Sequence, residues 1–108
     1  MENKKRFQRE LEAAFRQFVK IAFICGIDCR TAGMCEGQIT GAIVGAKSYD
    51  GITQKQAESF FDVFAKINRG YKKNIVEAGK ELTTLETYDL VEEYSNFVSE
   101  EIQKILGE

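Results

Sequence analysis

The sequence predicts an all-α protein. A single helical domain over residues 1–108 is expected, arranged as a four-helix antiparallel bundle-like unit with a short glycine-rich second helix and a long third helix. Three observations carry this expectation. The 108 residues contain no proline, so nothing interrupts a helical run. Apolar residues recur three and four positions apart in separate segments, the spacing of one helix face. Two segments begin with capping boxes, Thr53–Gln56 and Thr83–Glu86, in which the cap hydroxyl and the side chain three residues on satisfy each other's backbone N–H groups.

Residues 4–25 form the first amphipathic segment. Phe7, Leu11, Ala14, Phe18, Ile21 and Cys25 make a heptad seam, widened by Phe15, Val19 and Ala22. Gly26 is placed to stop the helix in a left-handed conformation, with Ile27 folding back onto it. Asp28 or Thr31 is the expected cap of the second helix, which runs to about Ser48. A glycine-rich loop with helix only from Glu36 is the competing reading of its start. The cluster Ser48-Tyr49-Asp50-Gly51 is a turn.

Thr53 opens the third helix, with Ile52 and Ala57 as a hydrophobic staple. Ala57, Phe60, Phe64, Ile67, Tyr71 and Ala78 give its seam, flanked by Phe61 and Ile75. Continuous from Thr53 to Ala78, it would be about 39 Å long at ~1.5 Å per residue. Gly70 is a place for a kink or an end, Asn74 a polar residue on the seam that fixes register, and Gly79 a C-terminal stop. The last helix starts at Thr83 behind Leu82 and runs to about Leu106. Its stripe is Tyr88, Val91, Val98, Ile102 and Ile105, broadened by Leu90, Tyr94 and Phe97, with Glu92, Glu93, Glu100 and Glu101 outside.

The organising feature is the run Gly33, Gly37, Gly41 and Gly45. Spaced by four, these glycines share one helical face with slow drift. Each costs a helix about 1 kcal/mol relative to alanine, so close packing is expected over the bare backbone. The first reading is a neighbouring helix of the same bundle laying its phenylalanines there. The second is a partner or small ligand in the Gly33–Gly45 groove. No Gly-x-Gly-x-x-Gly or Walker pattern is present, so a phosphate cradle is not implied.

Histidine is absent, which removes the commonest general base and metal ligand and any histidine-activated nucleophile within one chain. Cys25, Cys29 and Cys35 lack the second pair or histidines that a zinc site needs. Cys25 and Cys29 read as small core residues at a helix junction. Cys29 and Cys35 are also candidates for a redox-sensing thiol, with Arg30 and a helix N-terminus nearby. Asp50-Gly51-Ile52 lacks the upstream acids and closing glutamate of a calcium loop. Glu92-Glu93 and Glu100-Glu101 diverge by about 100° on a helix, so neither pair converges on one site.

Arg69, Lys72 and Lys73, with Tyr71 between them, are candidates for a phosphate contact. The net charge is −2, with a balance of +3 over residues 1–55 and −5 over residues 56–108. The whole molecule therefore has no nucleic-acid footprint, although Lys4, Lys5, Arg6 and Arg9 make the first helix locally basic. No apolar run is long enough to span a bilayer, and no signal-peptide core follows the basic N-terminus.

A soluble, cytoplasmic, non-catalytic protein is the resulting expectation, with no cofactor and no metal. It is read as an interaction or regulatory module, of inhibitor or adaptor type, acting through helical surfaces on another protein or on itself as a homodimer or larger homo-oligomer. The alternatives are a small-ligand or nucleotide sensor, with Arg30, Lys47 or Arg69 holding a phosphate beside the glycine groove, and a DNA-binding regulator.

Overall fold

The computed structural model describes residues 2–49 and 51–107; Asp50, part of the expected turn and of the rejected calcium loop, lies outside the described residues. Among the described residues the chain is all-helical and compact. The helices are α1 (Glu2–Cys25), α2 (Arg30–Ser48), α3 (Gln54–Tyr71) and α4 (Thr84–Leu106). α1 packs on α4 and α2, and α3 packs on α4 and α2, around one contiguous apolar core.

Phenylalanines of α1 and α3 meet across the centre. Phe15 and Phe18 approach Phe64 with ring centroids 4.9 and 5.3 Å apart, and Phe7 meets Phe60 edge-on at 6.4 Å. The buried face of α1 is Leu11, Phe15, Phe18, Val19, Ala22 and Phe23. It is rotated from the expected seam, so that Phe23 is buried and Cys25 is exposed. The physical reason is Phe23 itself. Its ring stacks on Tyr94 at 5.2 Å and meets Tyr71 edge-on at 5.6 Å, which draws that side of α1 inward.

Gly26 takes φ 107°, the left-handed stop expected of it. Neither Asp28 nor Thr31 caps α2. Cys29 does so, its Sγ accepting from the Ala32 N–H at 3.4 Å. α2 is helical from Arg30, so the loop reading of its first turn is replaced. At 19 residues it is no shorter than α3, which has 18.

The capping box of α3 forms in both directions: Thr53 Oγ1 accepts from the Gln56 N–H at 3.0 Å, and Gln56 Oε1 accepts from the Thr53 N–H at 2.9 Å. Gln56 has a second task. Its buried Nε2 donates to the Ile105 carbonyl at 3.2 Å, tying the start of α3 to the end of α4. These two helices therefore run in opposite senses. The equivalent box of α4, Thr83 with Glu86, also forms both ways.

α3 does not continue as an α-helix to Ala78. From Lys72 to Val76 the backbone widens into a π turn, shown by the Glu77 N–H donating to the Lys72 carbonyl at 2.9 Å. Gly70, where a kink or an end was expected, stands one residue before α geometry stops. It is buried because the Tyr94 phenol of α4 lies on its backbone, and a Cβ there would fall inside the phenol. Asn74, expected on the seam, donates to the Gly70 carbonyl at 2.8 Å and to Tyr94 Oη at 3.4 Å. Gly79 then takes φ 71° and turns the chain toward α4. Tyr88 lies off the buried stripe of α4 and is half-exposed, whereas Leu106 joins it.

Two stability predictions follow from this packing. Gly70→Ala forces the Tyr94 ring to move and is expected to cost about 1–3 kcal/mol in chemical denaturation, the usual range for overpacking; in a Tyr94→Ala background the cost shrinks. Ser99 Oγ is buried without a hydrogen-bond partner. Ser99→Ala removes that desolvated hydroxyl and is expected to raise the denaturation midpoint rather than lower it.

Candidate functional site

Two surfaces stand out. The first is the outward face of α2. The core side of this helix is carried by Ala32, Ile39 and Ile43. The glycines point the other way: Gly33, Gly37 and Gly41 are exposed and Gly45 is half-exposed. A Cβ added at any of the four would meet nothing within 4 Å. The glycine stripe is therefore not filled by a helix of its own chain, which corrects the first reading. The phenylalanines expected on it pack instead against one another between α1 and α3.

Beside the stripe, Met34 is 60% and Val44 51% exposed. No charged residue occurs between Glu36 and Lys47. Val44 also borders a shallow groove between α2 and α3 whose other apolar edge is Phe61, itself 38% exposed although expected beside the seam. Bare backbone, Met34 and Val44 thus give α2 an exposed face without charge from Gly37 to Ala46, bordered by a groove that carries Phe61 together with Lys47 and Glu58.

The second surface is a groove of about 450 Å³ between α3 and α4. Lys66, Arg69, Gly70 and Lys73 line one wall; Glu93, Tyr94 and Phe97 line the other. Helical spacing puts the three cations along one edge, at i, i+3 and i+7. Of the trio Arg69, Lys72 and Lys73, Lys72 is exposed but does not line the groove, whereas Lys66 lines it beside Arg69 and Lys73. Lys66 escaped the sequence reading because it stands three residues before the basic cluster; its spacing to Arg69 and Lys73 was the available signal. Arg69 is on the α3–α4 side and does not reach the glycine face. Arg30 and Lys47 sit at opposite ends of α2, about 25 Å apart at ~1.5 Å per residue, so one phosphate cannot engage both.

Lys66 Nζ donates to Glu101 Oε1 at 2.8 Å and stands 5.8 Å from the centre of the Phe97 ring. Glu101 is not on the solvated face expected for it: its side chain is 16% exposed, and Lys104 approaches it at 3.6 Å. The Lys66 hydrogen bond holds the Glu101 carboxyl below its ordinary value near 4.5; partial burial opposes this, and the charges of Lys66 and Lys104 assist it. Burial, helped by the Glu93 charge, raises the Tyr94 phenol above 10.0, against the lowering effect of the Asn74 hydrogen bond.

The cysteines do not assemble. Cys29 is engaged as a helix cap, Cys35 is half-buried against the core, and Cys25 is exposed rather than a core residue. No group of three potential metal ligands occurs among the described residues. None of the described helices is long and apolar enough to cross a membrane. No protein-family model, curated protein or solved structure matches the chain.

The Glu101 pair makes a pH prediction. A carboxyl whose folded value is depressed contributes stability above its unfolded value, and that contribution is lost as pH falls through the folded value. The protein is therefore expected to lose stability on acidification below about pH 4.5. Glu101→Gln should flatten that part of the profile, measured as denaturation midpoint against pH. An identical profile in wild type and Glu101→Gln would show that the pair contributes nothing measurable.

Proposed function

We propose that this protein is a non-catalytic interaction module that self-associates through the outward face of α2, on an up-and-down four-helix scaffold. The observation that carries the reading is the open glycine stripe. Four glycines in one helix are unfavourable by about 4 kcal/mol in total against alanine, and the folded chain makes no use of the space they leave. A second helix can use it. Backbones approach closely where Cβ atoms are missing, and the exposed Met34 and Val44 of one copy can seat against the glycines of another. A two-fold arrangement lets one patch complement itself. The shortage of charge on this face lowers the desolvation cost of such a contact. A regulatory or adaptor role fits a small helical module whose apolar face is covered on association, and neither surface presents a nucleophile paired with a base.

The test separates the stripe's role in the monomer from its role between copies. Because no atom opposes an added methyl, Gly37→Ala and Gly41→Ala are each expected to stabilise the isolated chain by up to about 1 kcal/mol. Gly41→Leu should leave the circular dichroism spectrum unchanged and convert the dimer to a monomer in light scattering. A wild-type protein that stays monomeric at all concentrations, or a Gly41→Leu variant with unchanged mass, would overturn the reading.

A further inference from the structure

We propose that the groove between α3 and α4 binds a mononucleotide, with the phosphate on Arg69 and Lys73, the base against Phe97 and Tyr94, and the ribose hydroxyls on Glu93. This site is independent of the α2 face and stands or falls separately. Four features of the groove converge on that ligand class.

The first is charge placement. Residues 56–108 carry a balance of −5, yet three of their six cations are gathered along one wall. Like charges three and four residues apart on a helix disfavour each other. Lys66 is neutralised by Glu101, whereas Arg69 and Lys73 form no salt bridge among the described residues. A guanidinium and an ammonium left side by side suit a phosphate: the guanidinium offers a fork of donors and the ammonium a compact charge.

The second feature is the opposite wall. Phe97 and Tyr94 are half-buried, held edge-to-face with centroids 6.2 Å apart, and Tyr94 is fixed from behind by Phe23. A rigid aromatic wall facing two free cations favours a ligand with a flat apolar part and an anionic part over a bare inorganic anion. The third is Glu93 at the rim. A carboxylate is a poor neighbour for a phosphate but a good acceptor for sugar hydroxyls, the role an acidic residue takes toward ribose in dinucleotide sites. The fourth is size and backbone. About 450 Å³ falls within the ordinary range for small-molecule sites. Lys73 stands in the π turn, an irregularity that recurs at functional positions.

The experiment titrates AMP into isotope-labelled wild-type protein and follows backbone amide shifts. Saturable shifts are expected at Gly70, Lys73, Glu93 and Phe97. Adenosine, lacking the phosphate, should bind at least tenfold more weakly. The exposed double variant Arg69→Ala/Lys73→Ala should keep its helical spectrum and lose at least tenfold in AMP affinity. Phe97→Leu should weaken AMP more than inorganic phosphate. Absence of saturable shifts with AMP, GMP, CMP and UMP would overturn the proposal. So would shifts confined to α1 or α2, or equal affinity for AMP and adenosine.

Discussion

The contact on which the rest of the molecule depends is the Tyr94 phenol resting on the backbone of Gly70. Only glycine allows it, since a Cβ would occupy the same space as the ring. It sets the approach of α3 to α4, and its consequences spread in both directions. On one side Phe23 stacks on the same ring and fixes the rotation of α1. On the other, Asn74 bonds both the Gly70 carbonyl and Tyr94 Oη, and the helix leaves α geometry at Lys72. The groove with its three cations is lined by both members of this contact.

α2 packs on both α1 and α3. Its core anchors are Ile39, Ile43 and the small Ala32, all fully buried. Burying two isoleucines is worth about 3–6 kcal/mol, at ~1.5–3 for each. The four glycines cost about 4 kcal/mol against alanine. The glycine cost is thus comparable to what those two anchors contribute. Association over the glycine face would offset that cost. The glycines of this protein thus serve opposite ends: Gly70 is consumed inside the fold, whereas Gly33, Gly37 and Gly41 remain open.

The elements were legible in the sequence because their signals are local. The capping boxes at Thr53 and Thr83 and the left-handed stops at Gly26 and Gly79 are written within a few residues, and they stand where spacing put them. What required partners distant in sequence was not legible. Nothing near Gly70 announces the tyrosine 24 positions later that lies on it, so the break in α geometry was legible there but the close contact was not. Phe23 lies off the heptad seam of α1 and is buried only because Tyr71 and Tyr94 come to it. Periodicity placed the glycine stripe on one face but could not say that the face looks outward. A cysteine cap at Cys29 was hidden because better capping residues, Asp28 and Thr31, flank it.

The most direct measurement of the central claim, that the open face of α2 is a contact surface between copies, is amide hydrogen exchange as a function of protein concentration. If α2 is covered on association, amides from Gly33 to Gly45 gain protection as concentration rises, while those of the α3–α4 groove do not change. Exchange in α2 that is independent of concentration, across a range in which the molar mass increases, would place the contact elsewhere and contradict the account.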